Sequence, residues 1–553
     1  MCQRGLGAMV DIATTTARGR AETVAVDESR AQDSLLLGAV AAVIATAGML
    51  AVSLAAEHPS IAETVAEAIA AVTPVEVIEV MTSTFGSSAK RLLFGTVLAG
   101  EVAFGAALAA LYQQRRGTAL QGISALAGIV AAGGLVGLPL LGAGVLGANT
   151  RAGVGATVAS LLVTALLFGL AYAGAAHVLN PGGTFAAEEA ASRRAFLRRA
   201  AVSAGGLVLG IGLFQWLAQR LTPEEPGATA SLEAAQTTAA VAGAGDLVQA
   251  IVDGVPGLSP EITPNDKFYT VSKNVFRDPI VSEQNWRLEI AGLVDRPTMF
   301  TYEQVRGMPA ANQYFTLQCI SNEVGGNLIG NAEWRGVPLA ALLRQVGVQA
   351  TAVDVILRAA DDYADSIPIE KALEPGTMLA FEMNGEVLPK NHGFPVRVLV
   401  PDIYGMKNVK WLTKIEVVEY DFKGFWQTRG WNDVAIVNTT SRVDLPRNRS
   451  NLRPGLNYIG GVALAGSRGI QKVEVSIDGG RTWGPAAIKP ALGPNTWVLW
   501  LFEWELRVDD SEDRRLMVRA TDGTGTLQTA VVQEPLPSGA TGHHAVLVKT
   551  AQA

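Results

Sequence analysis

Five long apolar stretches before residue 222 constrain the fold of this chain more than any other feature. They cover residues 35–56, 92–112, 120–146, 153–179 and 200–221. A helix needs about 20 apolar residues to cross a bilayer, and each stretch reaches that length. Hydrophobic residues make up 49% of the chain and charged residues 17%, which is typical of a protein with membrane segments. The sequence predicts an N-terminal all-α transmembrane bundle of five helices over residues 35–221, after a cytoplasmic tail of residues 1–34.

The basic residues in the short loops predict the orientation of these helices. Arginines at 115–116 lie between the second and third stretches, and four arginines at 193–199 lie between the fourth and fifth. Loops rich in Lys and Arg stay inside, and the mostly acidic loop 57–89 suits the outside, although Lys90 and Arg91 oppose this orientation. We therefore expect a multi-pass protein of the cell membrane whose residues after 221 are extracytoplasmic.

The loop before the fifth stretch carries more than charge. Arg193 and Arg194 are followed by Phe196 and Leu197, and an apolar segment comes next. Residues 192–198 resemble a twin-arginine export signal, which implies transport of an already folded domain. A simple basic stop at the membrane face is the alternative.

Glu101 is the one charged residue inside the predicted second span. A carboxyl group at that depth is costly, which makes it a functional candidate. A hydrogen bond to a neighbouring helix is the other explanation, and the sequence does not choose between them.

The composition changes after residue 221. Residues 222–254 are rich in Ala, Thr, Gly and Pro, and we expect them to form a linker. A mixed α/β region follows at 255–430. It has strand-like runs at 286–290, 355–358 and 395–400, and short helices are predicted at 302–306 and 339–346. The second of these helices follows Pro338, which suits a helix start.

Cys319 is one of only two cysteines, and the other, Cys2, lies at the terminus, so a disulfide framework is not expected. A lone buried cysteine is usually a small core residue. The sequence around this one changes that interpretation. Four blocks appear in order: Thr316-Leu-Gln-Cys319 with Asn322, Asn331-Ala-Glu-Trp334 with Gly336, His392-Gly-Phe-Pro-Val-Arg397, and Tyr404-Gly-Met-Lys-Asn-Val-Lys410-Trp411. Together they resemble the sulfite oxidase family over residues 260–550.

The resemblance implies an α+β domain of the sulfite oxidase type that binds molybdenum through molybdopterin. Cys319 would join the two pterin sulfurs on the metal, a role that suits a soft thiolate. The pterin phosphate calls for cationic and backbone donors. The implied cofactor-binding residues are Asn265, Phe268, Tyr269, Cys319, His392, Arg397, Asn408, Val409 and Lys410. Ordinary core packing for Tyr269, and solvated charges for Arg397 and Lys410, are the alternatives.

The implied reaction is transfer of one oxygen atom with two electrons. Sulfite-oxidising relatives follow the Cys-x-x-Asn motif with arginines, whereas this chain has Glu323 and Val324. A carboxylate beside the metal would repel a sulfite dianion. We therefore expect reduction of a neutral oxo-compound such as a sulfoxide, unless Lys273 or Arg335 restores positive charge. Sulfite oxidation, and a non-catalytic membrane-anchored binding protein that retains the fold, are the alternatives.

Short strand patterns characterise the C-terminal region, residues 431–553. Runs at 473–478, 497–504 and 516–520 predict an antiparallel β-sandwich. It resembles the immunoglobulin-like module that follows the molybdenum domain in this family, which often mediates dimers. We expect its tryptophans to form core. His543 and His544 are adjacent on a strand, point opposite ways, and are not expected to bind metal.

These features predict the partners: the membrane, a small-molecule substrate, an electron-transfer protein or a quinone, and a possible second copy of the chain. The net charge of -7 gives no reason to expect nucleic acid.

Overall fold

The computed structural model describes residues 35–53, 59–74, 77, 80–81, 85, 88–114, 138–141, 143–148, 153–179, 244–274, 277–507 and 513–550. The chain divides into two compact units. The first comprises Met1–Glu225 with Asn274–Arg277, and the second comprises Pro226–Lys273 with Asp278–Ala553.

In its described residues, the first unit forms helices and no strands. Its helices are Leu35–Ser53, Ile61–Val72, Ser88–Gln114, the short Leu138–Leu140 and Gly153–Leu179, and Val145–Gly147 is a 3₁₀ turn. Three of the described helices are long and apolar enough to cross a membrane, and they coincide with the first, second and fourth predicted spans. The described end of the third predicted span is not one continuous helix. The fifth span and the arginine motif at 192–198 lie outside the described residues.

Two pairs of polar side chains stabilise helices of the first unit. Ser60 caps the helix Ile61–Val72: its hydroxyl accepts from the Glu63 N–H, and the Glu63 carboxylate accepts from the Ser60 N–H. The Thr46 hydroxyl donates to the Glu101 carboxylate over 3.1 Å. Glu101 therefore makes a hydrogen bond to a neighbouring helix, which was the second explanation for a carboxyl group inside the predicted span.

Residues 287–418 form two sheets with short helices beside them. One sheet has the strand order β2-β1-β10-β5-β6, and the other has β3-β4-β7-β8 with β9 paired to β7. The strands are β1 Arg287–Gly292, β2 Thr298–Thr301, β3 Ala311–Gln318, β4 Ile329–Pro338, β5 Asp354–Ala359, β6 Ala364–Pro368, β7 Met378–Met383, β8 Glu386–Val387, β9 Arg397–Leu399 and β10 Leu412–Val418. The helices are Tyr302–Arg306, Leu339–Val346 and Ile369–Leu373.

Two sheets also form the C-terminal region, in the orders β11-β13-β17-β16 and β12-β19-β18-β14-β15. The strands are β11 Thr440–Leu445, β12 Ser450–Leu452, β13 Gly455–Leu464, β14 Ile470–Ser476, β15 Gly484–Pro485, β16 Ala487–Ile488, β17 Val498–Leu506, β18 Arg514–Asp522 and β19 Ala545–Thr550. Pairing is antiparallel as predicted, except that β12 and β19 are parallel. Trp500 and Trp504 lie buried between the two sheets, as expected for core residues.

The segment expected to be a linker ends in a helix instead. Residues Ala244–Asp253 are helical, and Leu247 and Ile251 pack against Leu499 and Leu501 of β17. One helical turn separates Leu247 from Ile251, so both side chains face the sheet. Burial of this apolar stripe stabilises the helix although its flanking composition is that of a linker.

Candidate active site

Cys319 follows directly after β3 and lies at the edge of a cavity. Its backbone N–H donates to the Leu328 carbonyl over 2.9 Å, and its Sγ is 2.9 Å from the Ser321 hydroxyl oxygen. The side chain is buried, with 6% of its surface exposed. The cavity is open to solvent and is formed where β3, β9, the β5–β6 turn and the approach to β10 meet.

The structure brings eight of the nine residues expected to bind the cofactor to this one cavity. They are Phe268, Tyr269, Cys319, His392, Arg397, Asn408, Val409 and Lys410. Their sequence positions span more than a hundred residues, and the two sheets place them together. Such convergence is what a binding site requires and what ordinary core packing of the separate blocks does not predict.

Asn265, the ninth residue, lies behind the cavity wall. Its carbonyl oxygen is 3.1 Å from His392 Nε2, and its Oδ1 accepts from Asn384 Nδ2 over 2.8 Å. Asn265 therefore fixes the His392 ring and does not line the cavity itself.

The segment from His392 to Arg397 presents two of the cavity's polar groups. Gly393 makes this possible, because its φ of +115° is one that other residues rarely adopt. A Cβ on Gly393 would also lie 3.0 Å from the Lys410 Cβ and 3.1 Å from the Arg397 Cβ. Glycine at this position thus lets the two cations and the histidine approach one another.

Arg397 is a buried cation surrounded by carbonyl oxygens. It donates to the carbonyls of His392 and Asn408 over 3.0 and 3.1 Å, and its guanidinium lies 5.2 Å from the Trp334 ring centre. Its buried Nε has no hydrogen-bond partner among the described residues. Burial lowers the pKa of Arg397 to about 10, an effect that Tyr269 opposes, so the side chain stays charged at neutral pH.

His392 and Tyr269 are both uncharged at neutral pH. The pKa of His392 is lowered to about 4, mainly by burial, with smaller contributions from Arg397 and Lys410 that the hydrogen bond to the Asn265 carbonyl opposes. Burial raises the pKa of Tyr269 well above its ordinary value, and a nearby thiolate at Cys319 adds to this effect. The cavity therefore combines fixed positive charge with neutral hydrogen-bonding groups.

The turn before β10 is held by the side chain of Asn408. Its Oδ1 accepts from the Val400 N–H over 2.7 Å, and its Nδ2 donates to the Ile403 and Tyr404 carbonyls. Because the Asn408 side chain is already hydrogen-bonded within the turn, the groups that the turn offers to a ligand are those of its backbone. Lys410 donates to the Asn391 carbonyl over 3.0 Å and lies 4.1 Å from the Trp411 ring centre.

The cavity is also lined by residues that were not predicted from the sequence. They are Asp361, Tyr363, Trp426 and Trp431. The two tryptophan rings are stacked with their centres 4.2 Å apart. The Tyr363 hydroxyl is 2.9 Å from both Asp365 Oδ2 and the Met406 carbonyl oxygen. In the sequence, the clustering of aromatic residues at 422–431 could have indicated this part of the cavity lining.

Of the three charged residues on which the substrate prediction depends, one lines the cavity and two do not. Glu323 is exposed and is not among the described residues that line the cavity, so its charge is not directed at the Cys319 site as supposed. Lys273 does line the cavity, with its ammonium 5.7 Å from the Phe425 ring centre. Arg335 is paired with Glu382 on the surface and does not restore charge to the cavity.

These residues fit a molybdenum–pterin group. Within the described ranges, no three His, Cys, Asp or Glu side chains are placed to hold a metal ion, so a metal here must bring most of its own ligands. A pterin dithiolene would do so, and Cys319 would add a thiolate ligand from the protein. The buried guanidinium of Arg397 has a donor without a partner and suits the anionic end of the pterin.

Comparison with known proteins gives the same assignment. Residues 276–426 match the oxidoreductase molybdopterin binding domain, and residues 433–536 match the Mo-co oxidoreductase dimerisation domain. Sulfite oxidase of Arabidopsis thaliana is 29% identical over 335 residues, which cover 50% of this chain and 84% of that protein. The mitochondrial sulfite oxidase of Drosophila melanogaster is 31% identical over 287 residues, which cover 43% of this chain and half of that protein.

The crystal structure of the sulfane dehydrogenase SoxCD from Paracoccus pantotrophus aligns with 53% of this chain and 82% of that chain. The sequence identity is 26% and the TM-score 0.46. Taken together, the two domain matches and the sulfite oxidase relatives show that this chain belongs to the sulfite oxidase family of molybdopterin-dependent oxidoreductases, with molybdenum–molybdopterin as its cofactor.

Proposed function

We propose that the cavity beside Cys319 carries out two-electron oxygen-atom transfer, with the Cys319 thiolate as the protein ligand of molybdenum. The observation that carries the proposal is the convergence of this buried cysteine and the buried Arg397 guanidinium on one cavity. When bound, the cofactor supplies the oxygen-atom and electron chemistry, while the protein supplies position and electrostatics.

The cofactor would be held mainly by the wall that contains the two cations. Arg397 presents a rigid fork of donors, and Lys410 adds a second positive charge for a phosphate. The Asn265 carbonyl accepts from His392 Nε2, which leaves Nδ1 as an acceptor in the neutral ring. Phe268 and Tyr269 stack on each other with ring centres 5.5 Å apart and complete this wall.

The remaining wall would receive the substrate. It has the aromatic rings of Tyr363, Trp426 and Trp431, together with one lysine, Lys273, and one carboxyl group, Asp361. The charges of Lys273 and Asp361 offset each other, and the rings offer apolar surface. A small neutral oxo-compound such as a sulfoxide fits this wall better than a sulfite dianion, whose burial without several cations costs several kcal/mol.

Sulfite oxidation is the second candidate. Two observations favour it: Lys273 lines the cavity while Glu323 does not, and the relatives named above are sulfite oxidases. In that case Lys273 would bind the anion directly.

Steady-state kinetics on the cofactor-loaded protein distinguish the two candidates. We expect kcat/KM for at least one alkyl or aryl sulfoxide to exceed that for sulfite. Lys273→Met should leave sulfoxide reduction within about threefold of wild type, because no ionic contact is lost. Lys267→Met is the matched control, since Lys267 is an exposed lysine of the same segment. Higher kcat/KM for sulfite than for every sulfoxide, with loss of sulfite turnover in Lys273→Met alone, would establish sulfite oxidation instead.

Location and partners complete the proposal. The three apolar helices of the first unit support a multi-pass membrane anchor. The loop charges and the arginine motif favour a catalytic region outside the cytoplasm. Electrons would then pass to or from a separate carrier protein or a quinone. The match to a dimerisation domain supports a homodimer.

A further inference from the structure

The loop that follows β3 links the position of Cys319 to residues nine positions later. The Cys319 N–H donates to the Leu328 carbonyl over 2.9 Å, and the Leu328 N–H donates to Asn322 Oδ1 over 2.8 Å. Between them, the Gly326 N–H donates to the Glu323 carbonyl and forms a second turn. The direction of the Cys319 side chain therefore depends on the shape of the whole loop 319–328.

Arg442 of β11 contacts the tip of this loop. Its Nη1 donates to the Gly326 carbonyl over 2.8 Å. The guanidinium is itself fixed, because Nε donates to Asp444 Oδ1 over 2.6 Å and Nη2 donates to the Ser259 hydroxyl over 2.9 Å. A fixed donor of this kind restricts the loop more than a mobile surface arginine would.

His544, which precedes β19, contacts the neighbouring loop residue. Gly325 has a φ of +79°, and a Cβ on it would lie only 2.2 Å from His544 Nε2. The other ring nitrogen, Nδ1, accepts from the Val443 N–H over 3.0 Å, which holds the ring in place. Burial, followed by the charge of Arg442, lowers the pKa of His544, so the ring is neutral and able to accept this bond.

We propose that Arg442 and His544 are positioning residues: from the C-terminal sheets they hold the tip of the loop and thereby set the direction of the Cys319 thiol. The inference rests on the proposed function in taking Cys319 as the metal ligand. It gives the C-terminal region a role in the active site of its own protomer, in addition to any role in pairing two copies. Groups that orient a metal ligand affect the metal site although they do not touch it.

Thiol reactivity tests this role without turnover. In the full-length chain with Cys2→Ser, prepared without cofactor, Cys319 is the remaining cysteine. His544→Ala and Arg442→Met should each speed its alkylation by iodoacetamide about tenfold, because the loop opens more often. Arg442→Lys should restore part of the protection. His543→Ala is the matched control: that ring contacts Trp483 and the Gln528 carbonyl.

Gly325→Ala approaches the same contact from the loop side and keeps the test valid if His544→Ala lowers stability. It should also speed alkylation about tenfold, because its Cβ meets the His544 ring and its φ is strained. When Gly325→Ala is combined with His544→Ala, the imidazole ring is absent, so Gly325→Ala should speed alkylation by less than it does in the presence of His544. Alkylation at the wild-type rate in all of these variants would overturn the proposal, as would an equal effect of His543→Ala.

Absorption of the cofactor-loaded protein gives a second readout. At equal molybdenum content, His544→Ala and Arg442→Met should shift the sulfur-to-molybdenum charge-transfer band, whereas His543→Ala should not. An unshifted spectrum in both variants would contradict the positioning role. If Cys319→Ser kept its metal, its spectrum and its activity, the proposed function would fail, and the alkylation result would still decide whether the loop is held by these two residues.

Discussion

At the scale of single residues, the candidate site depends on polar groups buried in an uncommon combination. His392 is neutral between two cations, and Gly393 allows that proximity through a backbone conformation closed to most residues. The sequence indicated the chemistry of this block, because His392-Gly-Phe-Pro-Val-Arg397 resembles a block of the sulfite oxidase family and offers an arginine for the pterin phosphate. It could not indicate their protonation, which depends on burial.

The depressed pKa of His392 predicts how stability depends on pH. Folding lowers this pKa from 6.5 to about 4, so the unfolded chain binds a proton first as the pH falls. The stabilisation is present above pH 6.5 and is lost between about pH 6.5 and 4, with a maximum of about 3 kcal/mol from the size of the shift.

Urea unfolding of the cofactor-free chain at several pH values measures this dependence. His392→Gln keeps a donor toward the Asn265 carbonyl but cannot titrate, so its midpoint should fall less steeply than that of wild type over this window. Parallel curves for the two proteins would show that His392 is not the group responsible.

At the scale of elements, local sequence signals predicted two short helices and six of the strands: β1, β5, β9, β14, β17 and β18. The helices Tyr302–Arg306 and Leu339–Val346 have the predicted bounds. The first begins with a capping box between Thr301 and Gln304, and the second begins after Pro338. The helix Ala244–Asp253 was missed because its surroundings are rich in Ala, Gly and Thr. Its signal was the pair Leu247 and Ile251, and tertiary burial against β17 outweighed composition.

Because the helix Ala244–Asp253 is stabilised by packing on β17, removing a buried side chain from it should measurably lower stability. Ile251 is 4% exposed and packs on the C-terminal sheets, so Ile251→Ala should lower the free energy of unfolding by about 2–4 kcal/mol. Urea unfolding followed by tryptophan fluorescence would report it, because Trp497 belongs to the same cluster. Val252→Ala, on the exposed side of the helix, should change stability by less than about 0.5 kcal/mol. Equal effects of the two substitutions would contradict the packing described.

At the scale of the whole molecule, tertiary structure supplies what local patterns do not. Tyr363 lies in the β5–β6 turn, while Trp426 and Trp431 follow β10, and pairing of β5 with β10 places them along one wall. No local pattern relates these positions. The same limit explains why Glu323 was expected beside the metal: adjacency to Cys319 in sequence did not give the direction of its side chain.

The orientation of the whole chain in the membrane remains a prediction from loop charge and the arginine motif. A reporter enzyme that works only outside the cytoplasm should be active when it is fused after Ala553, whereas a reporter that works only in the cytoplasm should be inactive there. Changing Arg193 and Arg194 together to Lys should block export of the catalytic region while conserving charge. The same change at Arg198 and Arg199 is the control and should leave export intact. Normal export of the first double variant would exclude the twin-arginine interpretation.

The central claim is that the Cys319 thiolate is the protein ligand of molybdenum. Measuring the molybdenum content and the turnover of Cys319→Ser tests this claim most directly. Wild-type protein should contain molybdenum and pterin in near-equal amounts. Cys319→Ser should retain pterin through Arg397 and its neighbours but lose nearly all turnover. The expected loss is roughly a thousandfold or more, equivalent to about 4 kcal/mol of transition-state stabilisation. Cys2→Ser is the control and should match wild type. Wild-type turnover in Cys319→Ser, or purified protein without molybdenum, would contradict the account.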